Sequence, residues 1–237
     1  MIAQVLGQIV KPTSNFYGNG VVTMSREFGW AKECASVDQA AVLKQLIEGR
    51  RTIGKVKPEC PPRELIEHIL ESATWAPNHR LTEPWRFVVL AGQAREALGW
   101  FMGEQNAAAH PAGSIEGDVE RARGARKALR APVVIAVGVE PGIGEKIEEI
   151  EEIAAVAAAA QNMLLTAHAL GLGAKWSSGK IIHDPGVRAW LGLSERGLLL
   201  GFLYIGYPDM TSERSLRTPA AGVTEWRGWV DDLCHER

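Results

Sequence analysis

The sequence predicts an α+β fold, a mixed sheet layered with helices and not a doubly wound parallel sheet. Three observations lead there. Several segments carry apolar residues at helical spacing, three short apolar runs read as strands, and the two kinds alternate without a strict strand–helix–strand repeat.

Residues 1–36 show no sustained periodicity and are rich in turn formers, among them Pro12, Asn15, Gly18 and Gly20. They read as an extension outside the main fold. Ser36-Val37-Asp38-Gln39 then has the form of a capping box, and Val42, Leu43, Leu46 and Ile47 recur at helical spacing up to Gly49. Arg50 and Arg51 therefore fall at a helix C-terminus, where the macrodipole favours cations. A second helix opens at Pro61-Pro62, buries Leu65, Ile66, Ile69, Leu70 and Ala73, and stops at Trp75-Ala76-Pro77.

The strand over 85–91 precedes a helix over about 93–105, a looser stretch over 107–117 and a basic helix ending near Arg130. Residues 132–139 form an apolar run without alternation, as expected of a strand buried on both faces. An acidic-then-alanine helix is expected over about 145–170, closed by Gly171-Leu172-Gly173. Next come a short strand over 174–178, a small helix over 184–191 and a clear strand over 198–207. A short helix near 225–233 completes the expectation.

Composition narrows the function classes. A formal net charge of −2 gives no support to a polyanionic partner such as nucleic acid. Arg121 to Arg130 reads as the wet face of a helix. Cys34, Cys60 and Cys234 share no metal or disulfide spacing, which points to the reducing cytoplasm. Residues 153–173 include Gln161, Asn162 and His168 directly behind four glutamates, so a buried helix is expected instead of a membrane span. No Walker, HExxH or Gly-x-Ser-x-Gly pattern occurs, and Gly171-Leu172-Gly173 follows a helix where a dinucleotide fingerprint would follow a strand. His168 reads as a core histidine, and no metal site is expected.

Polar residues concentrate in three places. Arg50, Arg51 and Thr52 offer fork-like and hydroxyl donors suited to a phosphate. Pro77, Asn78 and His79 open a stiff connection, closed by Pro84-Trp85, whose directional donors suit a heteroaromatic ring. Trp176, Ser177 and Ser178 add an aromatic face and hydroxyls. From the residues alone, these clusters need not meet.

In order, the arginine pair, Pro77-Asn78-His79…Pro84-Trp85, the Ala131-Pro132-Val133-Val134-Ile135 strand, the long helix ending Gly171-Leu172-Gly173-Ala174 and Gly201-Phe202-Leu203-Tyr204-Ile205-Gly206-Tyr207-Pro208 resemble the FMN-dependent nitroreductase family over residues 40–219. The resemblance implies a mainly antiparallel sheet in an intertwined homodimer, residues 37–219 as the FMN-binding domain and 220–237 as a tail. It implies FMN held by both subunits. Arg50, Arg51, Thr52, Trp176, Ser177 and Ser178 would come from one subunit, and Pro77, Asn78 and His79 from the other. Arg217 would stand in for a late phosphate-binding cation.

The activity implied is hydride transfer from NAD(P)H through FMN to a flat, electron-poor small molecule, a nitroaromatic or quinone, by ping-pong turnover with no catalytic side chain. Another reductive or flavin-modifying reaction on the same scaffold, or flavin binding without turnover, are the alternatives. Two positions depart from many relatives. Glu83 replaces a glutamine. Gly54 stands where larger relatives have lysine, and without a substitute cation the flavin potential should be lower.

Overall fold

The centre of the fold is a strand that no solvent reaches. β2 (Val133–Val139) is buried at every position, as its unbroken apolar run requires. It pairs antiparallel with β1 (Trp85–Ala91) on one side and β4 (Leu198–Gly206) on the other. β3 (Gly173–Ser177) adds antiparallel to β4, so the order is β1-β2-β4-β3. The computed structural model describes residues 37–144, 146–212 and 216–229.

Successive side chains of β2 point to opposite faces, and each face has its own cover. Val133, Ile135, Val137 and Val139 pack with α2 (Arg63–Thr74) and α5 (Glu149–Ala169), through Ile66, Ile69, Val156, Ala159 and Met163. The alanines of α5 let that helix lie close, and its apolar stretch is core. No helix of the described residues is long and apolar enough to cross a membrane.

Val134 and Ala136 face the other way, with Phe202 and Tyr204 of β4. There the cover is a hairpin of α3 (Gln93–Ala107) and α4 (Ile115–Ala128), with the short α6 (Pro185–Trp190). The hairpin helices touch backbone to backbone. A Cβ on Gly124 would collide with the Met102 carbonyl and lie 2.8 Å from the Gly103 Cα, so no larger residue fits.

A bulge separates Val137↔Gly201 from Gly138↔Leu199, leaving Leu200 without a partner on β2. Gly201 has φ +146°, and a Cβ there would lie 2.6 Å from the Trp176 indole nitrogen. The glycine thus serves both the bulge and the tryptophan.

Several sequence expectations shift. The loose stretch shortens to 108–114, because Ser114 caps α4 by accepting from Gly117 N at 3.1 Å, with Glu116 and Asp118 in the first turn. On α4 the buried residues are Gly117, Gly124 and Ala128, while Val119 and Leu129 are exposed. Pro141, Gly142 and Gly144 delay α5 to Glu149. Short 3₁₀ turns at His79–Leu81 and Lys180–His183 were not expected. No helix forms over 225–229, where Trp226 and Trp229 stack edge to face instead. The remaining part of that expected helix, residues 230–233, lies outside the described residues, as do the extension over 1–36, the Ser36 cap, Cys34 and Cys234. Cys60 is a free, exposed thiol.

Candidate functional site

Helix α1 (Val37–Gly49) delivers the arginine pair to the C-terminal end of α5. The Gly49 Cα is so close to His168 that a Cβ there would sit 3.0 Å from its Nε2. Arg51 donates from Nη1 to the carbonyls of Glu48 and Arg50, each at 2.7 Å, so it satisfies the end of α1. The half-buried Arg50 guanidinium has no hydrogen-bond partner among the described residues. His168 is half-exposed, not the core residue expected. Burial, reinforced by the charges of Arg50 and Arg51, holds its pKa below the ordinary histidine value.

From there the chain is stitched to the sheet edge. Thr52 bridges Ala174 in parallel, and Ile53 N donates to the Ala174 carbonyl at 3.0 Å. This parallel bridge, the only one among the described residues, makes the edge of the sheet mixed. Lys55 pairs with Asp209 at 2.7 Å, and Val56 bridges Pro208. That lacing leads the late chain back toward the arginines, where Ser212 shares an open hollow of about 320 Å³ with Gln45, Glu48, Gly49 and Arg51. Arg217 lies farther along that segment, exposed, with its Nη1 on the Leu216 carbonyl at 3.1 Å.

The Pro77-Asn78-His79 cluster sits at the other end of α5. His79 Nδ1 lies 2.6 Å from Glu151 Oε2. Asn78 Oδ1 accepts from Glu83 N at 3.0 Å. Thr82 Oγ1 donates at 2.7 Å to Glu152, which is 1% exposed and also accepts from Gly142 N at 2.9 Å. These ties hold a strained turn, with Arg80, Leu81 and Glu83 all at positive φ. Glu151 and Glu152 were not picked out from the sequence. Their place three and four residues into an acidic helix start is the signal that could have found them.

Glu151 and His168 are 17 residues apart on one helix, so the two clusters are separated by about 25 Å at 1.5 Å per residue. Within one chain they cannot grip the same ring.

Strand alternation divides the third cluster. Trp176 turns toward the α2–α5 core and donates its indole N–H to the Leu200 carbonyl at 3.4 Å. Ser177 and Ser178 instead line a cavity of about 430 Å³ under the α3–α4 hairpin, together with Gly54, Lys127, Lys175 and Tyr204. Burial lifts the Tyr204 phenol to a pKa of about 12, with the Arg130 charge opposing, so it stays protonated. Sequence reasoning had Ser177, Ser178 and Gly54 but missed Lys127, Lys175 and Tyr204 as cavity residues, although a lysine inside an apolar strand was a visible anomaly. Among the described residues no cluster of His, Cys, Asp and Glu suits a metal ion.

The comparisons with known proteins agree with this architecture. The profile of the nitroreductase family matches residues 47–207. The chain belongs to the nitroreductase family. It is 32% identical over 175 residues to YdjA of Escherichia coli strain K12, named as a candidate NAD(P)H nitroreductase, covering 74% of this chain and 93% of the relative. Among solved structures, a nitroreductase-like family protein from Bacillus cereus superposes with a TM-score of 0.67 at 28% identity, covering 79% of this chain and 96% of the other. A candidate nitroreductase from Desulfovibrio desulfuricans, solved in complex with FMN, gives 0.57 at 28% identity over 79% and 98%. The expected α+β fold with a mixed, mainly antiparallel sheet is the one found, and these nitroreductase-like structures are its neighbours.

Proposed function

We propose that this chain is an FMN-dependent NAD(P)H oxidoreductase whose site is assembled from two copies. The carrying observation is the separation of the arginine cluster from the Pro77-Asn78-His79 turn along α5. A two-fold partner is the simplest way to bring one against the other.

Exposed apolar residues support such a partner. Val42, Leu43 and Ile47 on α1 are each about half exposed, Leu81 is 82% exposed, and Trp226 is 71% exposed. Patches of this kind mark interaction surfaces.

The residues fit the cofactor. Arg50 has a guanidinium without a partner, and Thr52 a hydroxyl without one among the described residues, as a phosphate site needs. Arg51 and Arg217 would add charge nearby. Ser177 and Ser178 offer hydroxyls at the cavity, and Asn78, His79 and the Pro77 backbone would come from the partner. Trp176 would serve as packing behind Ser177. The D. desulfuricans relative holds FMN, and the E. coli relative is named for NAD(P)H.

Bound FMN would supply the redox chemistry, taking hydride from NAD(P)H and passing electrons to a flat acceptor, such as a nitroaromatic or quinone, in a ping-pong cycle. The protein's share is to bind, orient and exclude water, so no side chain is assigned as an acid or base. Gly54 shares its cavity with Lys127, Lys175, Arg130 and Lys180. Substitute cations are therefore at hand, and the potential need not fall as expected from Gly54 alone.

The test is the visible spectrum of the purified protein, then anaerobic bleaching by NADH and NADPH. A yellow protein bleached by either supports the reading. Mixing Arg50→Ala with His79→Ala subunits should restore one intact site per mixed dimer. A colourless protein that ignores added FMN, or a monomer in solution, would sink the proposal.

A further inference from the structure

The cavity beneath the α3–α4 hairpin gathers more positive charge than the one cation that the edge of a flavin ring would use. Lys127, Arg130, Lys175 and Lys180 line it. Among the described residues, none of the four makes a side-chain ion pair or hydrogen bond. The carboxylate on the cavity wall, Glu120, is engaged by Arg123 at 3.2 Å. Four unanswered cations thus gather around about 430 Å³ in a protein of formal net charge −2. Crowded like charges are unfavourable unless a counter-charge joins them.

A second observation points the same way. Tyr204 is 7% exposed, and among the described residues its hydroxyl meets only the Met102 sulfur, at 3.9 Å. Thioether sulfur is a weak acceptor. Tyr204 is the direct cross-strand partner of Lys175, so phenol and ammonium rise from the same face of the sheet. Phe202 and Ser177, the next partners in register, give the floor an aromatic surface and a further hydroxyl. An apolar floor with cations and a hydroxyl donor suits a flat molecule bearing an oxyanion.

We infer that this cavity is an oxyanion subsite for a substrate, in which Lys175, Lys127, Arg130 and the Tyr204 hydroxyl receive a carboxylate or phosphate. The assignment deepens the flavoenzyme reading by giving the substrate a charge. It rests on that reading for the reaction served, not for the existence of the subsite. Two sources could bring the oxyanion: an acidic aromatic acceptor, or the phosphates of the nicotinamide dinucleotide.

The test uses the full chain as purified. Calorimetric titration with inorganic phosphate, 4-nitrobenzoate and uncharged 4-nitrobenzamide reads binding without turnover. The expected result is a nitrobenzoate-to-nitrobenzamide affinity ratio that falls about tenfold in Lys175→Met and about threefold in Tyr204→Phe, the range of charged and neutral hydrogen bonds. Arg130→Gln, at an exposed position tolerant of change, should lower phosphate affinity as well. No anion binding by the wild type, or equal anion affinities in all variants, overturns the subsite.

Steady-state kinetics separate the sources. A raised KM for NAD(P)H alone assigns the cations to dinucleotide phosphate, and a raised KM for 4-nitrobenzoate alone assigns them to the acceptor. Either supports the subsite. Loss of the flavin absorption band in Lys175→Met would overturn it, because these cations would then hold the cofactor. A colourless wild-type protein that binds phosphate through Lys175 would defeat the flavin reading and leave the subsite standing. A yellow protein indifferent to anions would do the reverse.

Discussion

The two ends of α5 are built to opposite plans. At its N-terminal end, acids meet donors and the polar groups are answered: Glu151 by His79, Glu152 by Thr82 and Gly142. At its C-terminal end, cations gather around His168, and the Arg50 guanidinium is left without a partner among the described residues. The first end spends its side chains on holding a strained turn in shape. The second leaves donors exposed for something to bind. Helix polarity suits both arrangements, since acids are favoured at the start and cations at the finish. A rigid helix of 21 residues keeps the shaped half and the receptive half too far apart to cooperate in one chain, and the proposed dimer follows from that distance.

Breaking the shaped end should have the largest effect. Glu152→Ala would leave the Gly142 N–H without its acceptor and the half-buried Thr82 hydroxyl with the longer contact to the His79 carbonyl, 3.4 Å, at a cost of about 2 kcal/mol in denaturant unfolding. Glu152→Gln, which keeps one acceptor oxygen, should cost clearly less. A loss below about 0.5 kcal/mol in the alanine variant would show that the turn does not depend on this carboxylate.

The receptive end should respond in binding and not in folding. Arg50→Ala is expected to weaken FMN retention by ~1.5–3 kcal/mol, as loss of a charged contact to phosphate would, with little change in melting temperature. Ultrafiltration and flavin absorbance measure it, and wild-type retention would remove Arg50 from the phosphate site.

His79→Ala separates the two ends again. Its exposed pair with Glu151 should contribute under ~1 kcal/mol to stability, while FMN affinity should fall in the dimer that lacks the side chain. Equal losses in stability and affinity would mean that His79 only supports the turn.

The smallest expected effect is on pH. His168 has a folded pKa below its unfolded value, so the unfolded chain binds the proton more readily through that window. Stability is therefore full above the unfolded value of about 6.5 and declines as pH falls through the window down to the folded pKa. A phosphate ligand would offset Arg50 and Arg51 and move the His168 titration upward. Proton NMR of the imidazole, with and without FMN, should show that rise. A downward movement would separate the histidine from the phosphate site.

Much of this was legible in the residues. The unbroken run over 132–139 could only be a doubly covered strand, and the helical spacing around Leu65, Ile66 and Ile69 could only bury one face of α2. Local patterns report burial well because burial repeats with the period of the element. The motif Pro77-Asn78-His79 likewise announced a polar turn, since two prolines cannot continue a helix. Other features stayed hidden. Trp176 and Ser177 are adjacent in sequence, yet strand alternation sends one into the core and the other into the cavity. His168 looked like core because its neighbours are alanines, but the end of α1 meets it from outside.

By itself, the sequence determined the strands and the main helices, the covered centre of the sheet and the membership of three polar clusters in a family pattern. Those depend on short-range periodicity and on residue types that a turn or a strand demands. The tertiary structure alone decided that two clusters stand at opposite ends of one helix and that Ser177 and Ser178 share a chamber with four cations. It also decided that Glu152 is buried to hold the turn. These are matters of distance between residues far apart in the chain, and no local pattern encodes a distance that only packing creates.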